Sequence, residues 1–436
     1  MLRQFDLRIS RHLPPIMLRR SGTSSPSVER AVAAIIRRVE LRGDDALRFY
    51  TQKFDRAKVK SLNVPQADIR DALAKAEPGF VRLLTEAVKK IQKFHDRQRH
   101  SSWKMKERFG SELRQRYLPV ERVGVYVPGG KAAYPSTVLM NVIPAQVAGV
   151  KEIVLVSPPD KNGNIHPDVL TAAAILGVKS VFRVGGAQAI AALAYGTKTI
   201  PAVDVIAGPG NIFVATAKKL LFGKVGIDSI AGPSEIVILA DDSARPDFIA
   251  SDMTAQAEHD ESASAVLVTT SSRLAAALNS ELLKLLTVLP RQSIIASSLK
   301  KNGTIILVKN LKQGTDVVNQ LAPEHLEIIT KDDKGTLKKI RNAGSIFLGN
   351  FSPVAVGDYF AGPNHVLPTA GTARFFSPLS VDTFTKKSSV VSFSRRTMES
   401  VSEKVARFAE HEGLTAHALS ARLRGKGNGK LVFLKT

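Results

Sequence analysis

Val203-Asp204-Val205-Ile206-Ala207-Gly208-Pro209-Gly210-Asn211 is a short β-branched run that ends in a glycine-rich turn, and an apolar helical pattern follows it. This is how a strand leading into a helix reads. Three further junctions share the texture: 123–127 runs into Pro128-Gly129-Gly130, 180–184 into Gly185-Gly186, and 236–239 into Asp241-Asp242. Additional strands are expected at 153–156, 265–269, 304–308, 326–330 and 345–348. Strands alternating with helices predict an α/β fold of the doubly wound class, with parallel sheets covered on both faces. Ligands of such sheets gather beyond the carboxyl ends of the strands, where the glycine-rich turns lie.

Outward from this centre the texture changes. Residues 25–108 carry apolar positions at helical spacing over 28–54 and 69–94, with few strand-like runs. At the other end Ser400-Val401-Ser402-Glu403 fits a capping box for a helix running to Gly413, and a second helix from Thr415 can end at Gly425. No internal repeat or low-complexity segment interrupts the pattern.

A chain of 436 residues that is 44% hydrophobic can bury more than one core, since single cores stop growing at about 250–300 residues. Its longest apolar stretches are broken by Gly, Pro or charge well before the roughly 20 residues a membrane-spanning helix needs. A soluble, cytoplasmic protein is expected. The basic opening, residues 1–22, lacks an apolar signal core and a small-residue cleavage site, so it reads as part of the mature fold. The absence of cysteine excludes disulfides, thiolate metal sites and aldehyde oxidation through a thiohemiacetal. Lys and Arg number 62 against 39 Asp and Glu, a net charge of +23. Basic residues are densest in 93–122 and 386–396, without a nucleic-acid-binding module or interleaved stacking aromatics. The charge is therefore read as a solvated surface that attracts anionic cofactors, with no specific nucleic acid and no membrane as partner.

Several groupings can carry chemistry. Gln256-Ala257-Glu258-His259 lies in a helical stretch, and its i,i+3 spacing puts an amide oxygen and an imidazole on one face; an ordinary surface pair reads the same way. Pro323-Glu324-His325 stands at the edge of a strand, where adjacent side chains diverge and two general bases can serve different steps; a hydrated Glu beside a half-buried His is the plainer reading. The segment 357–369, with Gly357, Asp358, Gly362, Pro363, Asn364, His365 and Pro368, is a Gly/Pro-punctuated loop that offers oxygen and nitrogen donors, or else turn-capping groups. Glu412 and His417 flank the break between the C-terminal helices, and His411 is as good a candidate as His417 on chemistry alone. The turn Gly208–Asn211 can offer backbone N–H groups to a phosphate, although it does not match G-x-G-x-x-G and its glycines also suit a tight turn.

In this order, YVPGG from Tyr126, VGGAQAIAAL from Val184, AGPGN from Ala207, AGPSE from Ala231, QAEH from Gln256, PEHLE from Pro323, GDYFAGPNHVLPT from Gly357 and LTAH from Leu414 resemble the histidinol dehydrogenase family along almost the whole chain. The resemblance implies zinc-dependent, NAD-linked oxidation of L-histidinol to L-histidine through bound L-histidinaldehyde, the last steps of histidine biosynthesis. It implies Gln256, His259, Asp358 and His417 as zinc ligands, the last contributed by the partner subunit of a homodimer. His325 and Glu324 correspond to the two catalytic proton acceptors. Ser234, His365 and Glu412 join His325 and the metal ligands around the substrate, while Tyr126, Gln188 and Asn211 contact the cofactor. The resemblance further implies two incomplete Rossmann-like domains, one of 25–122 with 236–378 and one of 123–235 inserted into it. An N-terminal arm, 1–24, and a C-terminal helical segment, 379–436, take part in dimer formation. A member of the same family acting on another small alcohol is the alternative, since fold does not fix substrate.

Overall fold

The computed structural model describes residues 2–10, 13–18, 25–129 and 134–425. Contacts divide the chain into two compact units, a larger one through Arg99 and from Val120 to Phe384, and a smaller one of His100–Pro119 with the chain from Thr385 onward.

The larger unit contains two parallel sheets. One has six strands in the order β1 (Arg3–Asp6), β11 (Gly303–Leu307), β10 (Ser264–Thr269), β9 (Glu235–Ala240), β12 (His325–Ile329), β13 (Ser345–Leu348). The other has five, in the order β6 (Ser180–Arg183), β5 (Glu152–Ser157), β4 (Arg122–Tyr126), β7 (Val205–Ala207), β8 (Gly226–Ile227). Strand side chains alternate between faces, so β9 sends Ile236 and Ile238 into one core and Val237 and Leu239 into another. Both faces are covered, which is why β9 and β12 are buried from end to end. The expected doubly wound α/β class is therefore what the chain adopts. No helix among the described residues is long and apolar enough to cross a membrane.

Three features differ from the sequence reading. First, helices Pro26–Arg42 and Pro78–Asp96 pack against the five-stranded sheet: Val32, Ile35 and Val39 join Val154 and Val156, while Leu84 and Ile91 join Val123 and Val125. The sequence reading groups 25–122 with 236–378 instead; an apolar stripe shows that a helix face is buried, not which sheet buries it. Second, part of the expected arm 1–24 is β1, an edge strand of the six-stranded sheet beside β11; residues 1, 11, 12 and 19–24 lie outside the described residues. Third, the chain from 379 onward is not wholly helical. β14 (Thr385–Ser392) pairs antiparallel with β3 (Glu112–Pro119), which pairs with β2 (Trp103–Lys106), so 100–119 belongs to the smaller unit. These strands carry little buried apolar surface and thus no clear alternation to read.

The smaller unit adds helices Arg395–His411 and Thr415–Gly425. The first is capped by Ser394, whose hydroxyl accepts from the Thr397 N–H at 3.2 Å. The Ser400–Glu403 capping box therefore falls inside a helix already begun. Ala406, Ala409, Ala418 and Ala421 form a small-residue seam between the two helices.

Candidate active site

A cleft of about 680 Å³ opens in the larger unit. Pro128, beyond β4, and the turn Gly208 to Asn211, beyond β7, line it from the carboxyl end of the five-stranded sheet. Ser234, just before β9, and Glu324, just before β12, line it from the amino end of the six-stranded sheet. The expected location at carboxyl ends thus holds for the turn, whereas Glu324 and His325 sit at the opposite strand ends.

Glu324 and His325 are adjacent, but different groups of the neighbouring strand hold them. The carboxyl Oε2 of Glu324 accepts from Ser234 Oγ–H and from the Glu235 N–H, both at 2.8 Å. Ser234 Oγ in turn accepts from the Gln256 amide at 2.6 Å, so a donor chain runs from the helix Pro246–Ala257 to the carboxyl. His325 Nδ1 lies 3.1 Å from the Glu235 carbonyl oxygen. Complete burial pushes the Glu324 carboxyl well above its usual range, with the charges of Glu235 and Asp358 adding to the effect. Burial also holds the His325 imidazole below its ordinary value, which favours its neutral form, with a lone pair free to accept a proton.

His259, Asp358 and His365 line the same cleft. His259 lies just past the end of its helix rather than within it, its N–H bonded to the Gln256 carbonyl at 3.4 Å. Asp358 sits in the last turn of the helix Val354–Tyr359, and its carbonyl accepts from His365 Nδ1–H at 3.1 Å. The charge of Asp358 reaches His259, His325 and His365 alike, which marks these four as one electrostatic cluster.

The loop carrying His365 is anchored through a defect in another helix. Pro144 interrupts the helix Pro135–Ala148 and supplies no N–H for the Met140 carbonyl one turn earlier. Asn364 fills that vacancy, its amide donating to Met140 O at 2.6 Å, while its Oδ1 accepts from Val366 N–H at 2.9 Å. The same amide lies 3.3 Å from Nε2 of the fully buried His95.

On the opposite wall, Gly208 has φ +115°, and a Cβ there would meet the Tyr126 carbonyl oxygen at 2.1 Å, so only glycine fits. Asp228 and Lys218, each about 2% exposed, form an ion pair behind this turn. Asp228 accepts from the Gly208 N–H at 2.8 Å, and Lys218 donates to the Gly208 carbonyl at 3.0 Å. Sequence reasoning passes over this pair. Its signal is a lysine in phase with the buried positions Val214 and Leu221 of an otherwise apolar helix face. Asn211 caps that helix, its Oδ1 accepting from the Phe213 and Val214 N–H groups at 3.0 and 3.2 Å. Tyr126 and Gln188 do not line the cleft. Tyr126 is buried with its hydroxyl accepting from Gly186 N–H at 3.1 Å, and burial pushes its phenol up to about 12. Gln188 is buried at the start of the next helix, and its Oε1 finds no hydrogen-bond partner among the described residues.

Of the residues expected to bind a metal, His259 and Asp358 share the cleft and Gln256 stands behind Ser234. His417 and Glu412 belong to the smaller unit, where both are exposed. Among the described residues no three His, Cys, Asp or Glu side chains converge within one chain to hold an ion.

The family model for histidinol dehydrogenase matches residues 18–425. Histidinol dehydrogenase of Halalkalibacterium halodurans is 53% identical over 402 residues, covering 92% of this chain and 95% of the relative. That of Geobacillus kaustophilus is 52% identical over 419 residues, covering 96% and 99%. A crystal structure of histidinol dehydrogenase from Elizabethkingia anophelis matches with a TM-score of 0.91 at 34% identity, covering 97% of this chain and 98% of that one. With the two-sheet fold, the adjacent Glu324 and His325 at the start of β12 and relatives matched over nearly their full length, the chain belongs to the histidinol dehydrogenase family.

Proposed function

We propose that the protein oxidises L-histidinol to L-histidine through bound L-histidinaldehyde, the last steps of histidine biosynthesis, in the cytoplasm. The observation that carries this reading is the pair Glu324 and His325, facing one cleft but oriented by separate groups of β9. Two proton acceptors, one held by the N–H and the other by the carbonyl of Glu235, suit two successive oxidations. His325 takes the hydroxyl proton as the first hydride leaves the carbinol carbon. Glu324 then takes a proton from the water that adds to the aldehyde, and the hydrate loses the second hydride. No cysteine is needed, because the second oxidation proceeds from a hydrate rather than a thioester.

NAD supplies the hydride acceptor in both oxidations. Its phosphates suit the Gly208–Asn211 turn at the head of the helix Ile212–Leu221, with Asn211, Tyr126 and Gln188 as contacts. The orphaned Gln188 oxygen supports this, since a buried acceptor without a partner is costly until a donor arrives. Zinc, when bound, supplies a fixed positive charge that grips the substrate beside the bases. The nitrogen and oxygen donors Gln256, His259 and Asp358 fit such an ion, with the partner subunit's His417 completing the set in a homodimer. Ser234, His365 and Glu412 suit an imidazole and an ammonium as further substrate contacts.

The test is stoichiometry: two NADH formed per L-histidinol consumed. A single equivalent, or no turnover of this alcohol, overturns the reading in favour of a family member that oxidises another small alcohol.

A further inference from the structure

Glu327 is an acidic residue in the middle of a strand buried from end to end, and no cation among the described residues is paired with it. It is only 2% exposed. On β12 it shares a face with His325, two residues earlier. Its Oε1 accepts from the Val354 N–H at 3.1 Å. Val354 opens the helix Val354–Tyr359, which has no side-chain cap of its own, and Asp358 lies one turn further along it. The Glu327 carboxyl also meets the Asp252 carboxyl, which stands on the helix Pro246–Ala257 one turn before Gln256. The second oxygen, Oε2, is buried with no hydrogen-bond partner among the described residues, and burial and the neighbouring Asp252 carboxyl together push the Glu327 carboxyl well above its usual range.

One side chain therefore joins three elements, and on each it is displaced by a single step from a residue that lines the cleft or stands directly behind it. His325 is two residues away along the strand, and Asp358 and Gln256 are one helical turn away along their helices. A leucine of similar size would pack as well at this position, but it would leave the Val354 N–H unmet and the six-residue helix free to slide. We propose that Glu327, bonded to the Val354 N–H and set against Asp252, is the positioning residue that fixes Asp358 and Gln256 in register with His325. The inference rests on the functional reading above only in what the positioned groups are for.

The experiment compares E327Q with E327M, and D252N with D252A, in the full-length protein. Glutamine keeps an acceptor for Val354 and supplies a donor to Asp252, so E327Q should match the native protein to within about threefold. In E327M, hydrogen exchange of the segment 354–359 should rise at least about tenfold, zinc affinity in chelator competition should fall about 10- to 100-fold, and kcat with L-histidinol should fall in parallel. The KM for NAD should stay within about twofold, because its turn lies on the other sheet. Should E327M fail to fold, D252A against D252N carries the same comparison, since it removes the carboxyl that Glu327 meets on the helix Pro246–Ala257. The proposal is overturned if the methionine and alanine variants keep native exchange in 354–359, or if E327Q is as impaired as E327M. A native protein that binds no zinc or leaves L-histidinol untouched overturns the functional reading instead, while the exchange data still decide the positioning role.

Discussion

His325 Nδ1 lies 3.1 Å from the carbonyl oxygen of Glu235, the first residue of the adjacent strand. A carbonyl only accepts, so Nδ1 carries the proton and Nε2 keeps the lone pair. The strand pairing itself thereby sets the tautomer of the proposed base. His325→Gln should lower kcat with L-histidinol about 10²- to 10⁴-fold with little change in thermal midpoint. Glu324→Gln should instead halt a single-turnover burst at one NADH. A full second equivalent from that variant would remove Glu324 from the hydration step.

The Lys218–Asp228 pair is closed off from solvent and grips both backbone groups of Gly208. Lys218→Met leaves a buried carboxylate without its partner, at a cost of about 3–5 kcal/mol in urea unfolding. The double variant K218M/D228N should recover most of that stability yet still bind NADH more weakly, measured by fluorescence quenching. Native NADH affinity in the double variant would show that the pair serves stability alone.

Asn364 satisfies the carbonyl that Pro144 leaves open and reaches His95. Asn364→Leu strips partners from several buried groups, each worth about 1–3 kcal/mol, and should destabilise the protein by about 2–4 kcal/mol. Because His365 is the next residue, the KM for L-histidinol should rise as well. Unchanged urea midpoint and KM would refute the anchoring role.

Asp55 is partly buried, its Oδ2 has no hydrogen-bond partner among the described residues, and burial pushes its carboxyl up to about 6. A folded pKa above the unfolded value of about 3.9 contributes stability that is complete below about pH 4 and lost as pH rises through about 6. Asp55→Asn should therefore flatten the fall in thermal midpoint between pH 4.5 and 8, gaining on the native protein toward the alkaline end. Parallel melting curves across that range would contradict this.

His417 and Glu412 lie on the smaller unit, and among the described residues no three His, Cys, Asp or Glu side chains of one chain converge to hold an ion. Mixing inactive His417→Ala and Glu324→Ala proteins should restore part of the activity, since one class of hybrid site then has both residues intact. No recovery after verified subunit exchange would place the whole site in a single chain.

The βα junctions, the parallel α/β class and the residue types of the site were legible because each leaves a local mark: β-branched runs that stop at Gly208 or Gly185, and a carboxyl next to an imidazole at 324 and 325. The three-stranded sheet around β3 left no such mark, since strands with little buried apolar surface have no alternation. Tertiary structure alone decided that the helices of 26–96 cover the five-stranded sheet, that Glu324 and His325 stand at a strand amino end, and that Lys218, Asn364 and Glu327 hold the cleft from behind. The physical reason is common to all of these. A buried pattern or a lone charge in a sequence records that a group leaves water, but its partner is fixed only when segments far apart in the chain are packed together.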